Sequence, residues 1–80
     1  MATANLRYTV LMERNEDGRY TVTVPSLPGC ISEGDTWDEA ISNVGEAIVG
    51  YIETLELLGR PIPVEVEVSV RSPAVDPASV

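Results

Sequence analysis

The side chains able to do chemistry in this chain are carboxylates and a single thiol. Its 80 residues hold thirteen Asp and Glu, five Arg, one Cys, no His and no Lys, for a formal net charge of −8. Without His, Ser-His-Asp and Cys-His nucleophile systems are excluded, and a zinc site lacks its usual ligands. Cys30 has no second cysteine to pair with and no His or Lys to lower its pKa. A redox or catalytic thiol is therefore not expected, and a small packing residue is. What remains is acidic chemistry: metal-assisted hydrolysis if several carboxylates converge, or recognition of a cationic partner if they spread over a surface. The same charge repels phosphate backbones, so direct nucleic-acid binding by this chain is not expected.

Eighty residues build one domain with one thin core. Leu6, Tyr8, Val10 and Met12 alternate with Arg7, Thr9, Leu11 and Glu13. That is the period of a half-buried strand. Asn15-Glu16-Asp17-Gly18 is a turn signal, and Tyr20, Val22 and Val24 then alternate with Arg19, Thr21 and Thr23. The two runs predict a β-hairpin. Pro25-Ser26-Leu27-Pro28-Gly29 ends the second strand, because proline cannot donate to a ladder. Cys30–Glu33 is read as a short third strand at the sheet edge.

The helix signal is the strongest in the chain. Thr36 followed by Glu39 fits a capping box. Apolar residues then recur at 37, 40, 41, 44, 47, 48, 51, 52, 55 and 58, with Gly59 as the C-terminal stop and Pro61 beyond it. Val64, Val66, Val68 and Val70 alternate with Glu65, Glu67, Ser69 and Arg71, which predicts a last strand. A right-handed crossover through the helix sets that strand parallel to the first. The expected fold is α+β: one β-β-β-α-β domain over residues 1–71, with a four-stranded sheet in the order 3-2-1-4 and one helix on one face. Ser72–Val80, with two prolines and no periodicity, is expected to be a flexible tail. No apolar run is long enough to span a membrane, and the first residues lack the charged head and apolar stretch of a secretory signal. A cytoplasmic, cofactor-free protein is expected.

Residues 25–48, PSLPGCISEGDTWDEAISNVGEAI, form a recognisable unit. The chain resembles the HicB family, the antitoxin half of bacterial HicA–HicB toxin–antitoxin pairs. The likeness is carried by Pro25, Leu27, Pro28, Gly29, Cys30, Gly34, Thr36, Glu39, Ala40, Asn43, Ala47 and Ile48, with the upstream hairpin and the downstream Gly59-Arg60-Pro61-Ile62-Pro63 also fitting. It spans roughly residues 6–70. The resemblance implies a fold similar to a reduced ribonuclease H and a role in neutralising a small basic ribonuclease. Many family members add a helix-turn-helix or ribbon-helix-helix segment for their own promoter. The ten residues after Val70 are too few for either, so promoter binding by this chain is not expected. Gly45 is a second departure, standing where the family usually has a better helix former.

Two readings of the acidic residues stand side by side. In one, Asp38, Glu46, Glu53 and Glu56 on the polar side of the helix meet the cationic RNA-binding surface of a HicA-like toxin. In the other, with Glu39, they form a solvated face. Glu53 and Glu56 approach the negative pole of the helix, where they do not favour stability. Glu65 and Glu67 are expected to pair with Arg7 and Arg71 across strands. Pro25–Cys30 is read as a rigid corner, and Trp37 as an anchor of the helix over the sheet. The edge at Cys30, Ile31 and Ser32 is expected to pair with a second copy, giving a homo-oligomer. A nuclease reading, invited by the ribonuclease H likeness, finds no support: the first strand carries no acid between Leu6 and Met12, and Glu65 and Glu67 fall opposite the helix. An antitoxin-like binding module and an orphan homo-oligomer of the same fold, without a toxin, are the two functional expectations.

Overall fold

The computed structural model describes residues 5–71. Strands β1 (Leu11–Arg14), β2 (Tyr20–Thr23) and β3 (Ile31–Gly34) precede one helix, α1 (Trp37–Leu57). The strands form an antiparallel sheet in the order β1-β2-β3. Met12, Val22 and Ser32 share one row, as do Arg14, Tyr20 and Gly34; these rows face the helix. Leu11, Thr23 and Ile31, and then Glu13, Thr21 and Glu33, share the rows of the open face.

The hairpin closes as its residues require. Gly18 N–H donates to Asn15 O at 2.9 Å, and Asn15 N–H to Arg19 O at 2.7 Å. Gly18 takes φ +87°, a left-handed conformation that glycine adopts without steric cost. Two consecutive turns then fill the corner between β2 and β3. Leu27 N–H donates to Val24 O and Cys30 N–H to Leu27 O, while Val24 N–H reaches across to Cys30 O. Pro25 and Pro28 each occupy the second position of a turn, and Gly29 at φ +84° completes the second one. The rigid corner has a purpose the prolines do not reveal: it drives Leu27 into the core, where it is 0% exposed.

Thr36 caps the helix, its hydroxyl accepting from Glu39 N–H at 3.1 Å. At the other end Gly59 N–H donates to Glu56 O and Arg60 N–H to Leu55 O, the paired bonds of a Schellman cap. The helix lies over β3 and β2. Val22, Val24, Leu27, Cys30, Ala40 and Val44 form the buried centre, with Tyr8, Val10, Met12, Tyr20, Ala47, Ile48 and Tyr51 packed around it. The helix start approaches β3 closely because residue 34 is glycine: a Cβ there would stand 2.5 Å from Ala40 N. Trp37 packs edge-on against Tyr20, with centroids 5.9 Å apart, yet is 54% exposed; its anchoring is partial.

Two expectations change. The first ladder runs from Leu11 to Arg14 rather than from Leu6 to Met12. Continuing the register, Val10 and Thr9 would oppose Val24 and Pro25, where β2 has already turned away. Among the described residues the expected fourth strand, and with it the order 3-2-1-4, is not formed: Val64–Val70 joins no ladder and the sheet there has three strands. Pro61 and Pro63 offer no donor, and the Thr9 amide is satisfied by the side chain of Glu65 at 2.8 Å instead of by a backbone carbonyl. The expected tail, Ser72–Val80, lies outside the described residues.

Candidate functional site

The acidic residues of α1 gather on one side. At about 100° per residue, Asp38, Glu39, Glu46, Glu53 and Glu56 fall within an arc of about 100°, centred opposite the buried Ala40 and Val44. All five are exposed. Ser42, Gly45 and Val49 lie in or beside the same arc, and Val49 is one of the exposed large apolar residues. No atom lies within 4 Å of a Cβ built at Gly45, so the helix backbone is open to solvent there. The helix thus presents a small apolar strip bordered by carboxylates. Its last turn contains no basic residue, so the negative pole of the helix adds to the field of Glu53 and Glu56. The arrangement suits a surface that attracts a cationic partner and offers it an apolar contact at one margin.

The other predicted site residues divide between the core and the sheet edge. Cys30 is buried in the core, and burial pushes its thiol pKa up. It fills space rather than presenting a thiol. Ile31 is 59% exposed on the open face of the sheet, and Ser32 is half-buried on the helix side. β3 is an outer strand, as expected. Glu65 does not pair with Arg7 or Arg71. Its carboxylate accepts from Thr9 N–H, from the Thr9 hydroxyl at 2.7 Å and from the Ser26 hydroxyl at 2.9 Å. These bonds hold its pKa below the usual carboxylate value, the Thr9 hydroxyl contributing most. One side chain thereby ties three segments together: the approach to β1, the Pro25–Pro28 corner and the chain after the helix. The Tyr8 hydroxyl, donating to Pro63 O, reinforces the tie. An ion pair does form between Arg19 and Asp35 at 2.8 Å.

Two depressions accompany these features. A groove of about 430 Å³ runs between β3 and the second half of α1, with Ala47 and Gly50 among the residues that line it. Tyr51 closes one side, its hydroxyl donating to Pro28 O at 2.8 Å. A second cleft of about 500 Å³ separates residues 7–9 from residues 65–67. Among the described residues no group of three His, Cys, Asp or Glu side chains converges in metal-binding geometry, and no helix is long and apolar enough to cross a membrane. Sequence reasoning missed the Glu65 clamp because alternation next to arginines pointed to ion pairs. The Thr9 and Ser26 hydroxyls carry no pattern that marks them as partners of a residue so far along the chain.

Comparison with known proteins assigns this architecture. The family described as "HicB_like antitoxin of bacterial toxin-antitoxin system" matches residues 8–76. A UPF0150 protein of Thermoplasma acidophilum is 48% identical over 58 residues, covering 72% of this chain and 84% of its own length. Antitoxin HicB 1 of Photorhabdus laumondii is 36% identical over 64 residues, covering 75% of this chain and 41% of the longer protein. Among solved structures, the N-terminal domain of the Burkholderia pseudomallei antitoxin HicB superimposes with a TM-score of 0.65 at 41% identity, covering 74% of this chain and 69% of that one. On sequence and fold together, this chain belongs to the HicB-like antitoxin family.

Proposed function

We propose that this chain neutralises a small, basic, HicA-type ribonuclease by covering its RNA-binding surface, with no chemistry of its own. The observation that carries the reading is the acidic arc of α1, set opposite the core and bordering an exposed apolar strip. Asp38, Glu46, Glu53 and Glu56 supply long-range attraction to lysines and arginines that otherwise hold phosphates. Gly45 and Val49 supply the contact that excludes water once the partners meet. Coulombic steering of this kind raises the association rate more than it slows dissociation, and salt weakens it. The same charge disfavours direct nucleic-acid binding, and a role in the cytoplasm, without cofactor or catalysis, follows from the mechanism.

Co-expression with the adjacent reading frame tests the proposal. A basic neighbour whose growth arrest is relieved, and which co-purifies with this chain, is the expected result. The variant Asp38→Asn/Glu46→Gln/Glu53→Gln is expected to slow association about tenfold or more at low salt while leaving the melting temperature nearly unchanged. An unchanged rate refutes the acidic-face mechanism. The second reading, an orphan homo-oligomer, is favoured by one observation, the exposed valine run after the helix. It is the outcome if no toxin lies beside the gene. Cys30–Ser32 at the outer edge of β3 is one proposed contact between copies, though only Ile31 of the three is exposed.

A further inference from the structure

The outer edge of β3 and the flank of α1 face each other across the groove of about 430 Å³. Val24 N–H donates to Cys30 O, which makes residues 24 and 30 a hydrogen-bonded pair of the ladder. Alternation then turns the backbone groups of Ser32 and Gly34 toward β2, and those of Ile31 and Glu33 outward. β3 is an outer strand, so among the described residues no strand meets them. Glu33 O is satisfied from the helix, by Asn43 Nδ2 at 2.8 Å. Ile31 N–H, Ile31 O and Glu33 N–H are left pointing into the space beside the sheet. An edge of this kind is a template for another strand.

The helix runs alongside that edge. Gly34 meets Ala40, Glu33 meets Asn43 and Pro28 meets Tyr51. Strand residues descend as helix residues ascend, so α1 is antiparallel to β3. Between the Asn43 and Tyr51 tethers the helix lines the groove with small residues, Ala47 and Gly50. No atom lies within 4 Å of a Cβ built at Gly50. A segment laid along Ile31 sets one residue opposite it, on the open face of the sheet. The residues on either side then turn their side chains to the helix face, into the groove.

Charge decides what kind of segment fits. Glu46 and Glu53 are exposed one turn to either side of Gly50 and border the groove. Branched apolar side chains suit the two inward positions, and lysine or arginine suits the positions beyond them. This chain supplies no such segment: its own late valine run carries Glu65 and Glu67, and its net charge of −8 sets one copy against another.

We propose that the edge of β3 at Ile31, with the groove over Ala47 and Gly50, binds an extended cationic segment of a partner protein by strand addition. The proposal stands apart from the acidic-arc reading. The groove lies on the flank of the helix beside that arc, and backbone pairing as well as charge makes the contact.

The probe is the peptide acetyl-Arg-Thr-Val-Thr-Val-Thr-Arg-amide, titrated into the full native chain and followed through its backbone amide resonances. The Ile31 and Glu33 amides are expected to shift and to exchange with solvent about tenfold more slowly, with Ala47 and Gly50 shifting alongside. Replacing both arginines of the peptide with glutamate is expected to weaken binding about tenfold or more. Gly50→Leu fills the groove and improves helix propensity, so it is expected to fold while losing about tenfold in peptide affinity. Unmoved Ile31 and Glu33 amides at about 1 mM peptide overturn the proposal. So do shifts confined to Asp38, Glu46, Glu53 and Glu56, or a folded Gly50→Leu variant that binds as the native chain does. An Ile31 amide already protected without peptide, together with a dimer mass in sedimentation, gives the edge to a second copy and overturns it as well.

Discussion

Strand β2 and the run Val64–Val70 have nearly the same grammar and opposite fates. Each alternates valine with polar residues, and each comes after a turn rich in helix-breaking residues. Val22 in β2 is 0% exposed, whereas Val66 is 76% exposed. The difference is in the neighbours. β2 is flanked by β1 and β3, which satisfy its backbone, and by α1, which covers one face. The later run meets only Thr9 and Ser26, and meets them through the side chain of Glu65. Alternation prepares a residue run for a sheet; a strand exists only where a partner edge is in reach.

The largest expected effect attacks the well-packed side of that comparison. Leu27→Ala, which empties the core position under the corner, is expected to cost about 2–5 kcal/mol in chemical denaturation. Val66→Ala, measured below any dimerisation concentration, is expected to stay within about 0.5 kcal/mol. Equal losses at the two sites abolish the distinction between them. Gly34→Ala forces a Cβ into the backbone at the start of α1 and is expected to cost about 1–3 kcal/mol, even though residue 34 closes a strand in which alanine is otherwise acceptable. Thr36→Ala removes the cap that starts the helix and should lower stability by about 1 kcal/mol. Gly45→Ala acts in the other direction. Its site is open, so stability is expected to rise by about 0.5–1 kcal/mol. A fall in partner affinity alongside that gain places Gly45 in the interface.

The smallest effect sharpens the other side. The carboxyl of Glu65 is held below its ordinary pKa by Thr9 and Ser26. Its contribution to stability is therefore present at neutral pH and is lost as pH falls through the depressed value. Thermal melts of the native chain should weaken with acidification over that range more than those of Glu65→Gln. Identical pH profiles for the two proteins show that the clamp does not hold the later run to the body.

The legibility of the site divides along the same line. The acidic arc needed nothing beyond helical periodicity, because charge, spacing and the apolar stripe on the opposite side all sit in one continuous segment. The placement of Cys30 followed from its chemistry. The role of Leu27 did not, because a lone leucine between two prolines has no period, and only the double turn sends it inward. The fate of Glu65 was hidden for a similar reason: its partners lie 56 and 39 residues away and are ordinary hydroxyl side chains.

The amino-acid order by itself determined the hairpin, the capped 21-residue helix and the sign of the charge on its outer face. Each depends on interactions within a few residues, which spacing records directly. Tertiary structure alone decided where β1 begins, which strands the helix covers and whether the valine run finds an edge. Those outcomes depend on which distant backbone groups are still free when segments meet. In this chain the turn after Thr23 and the carboxylate of Glu65 had already claimed them.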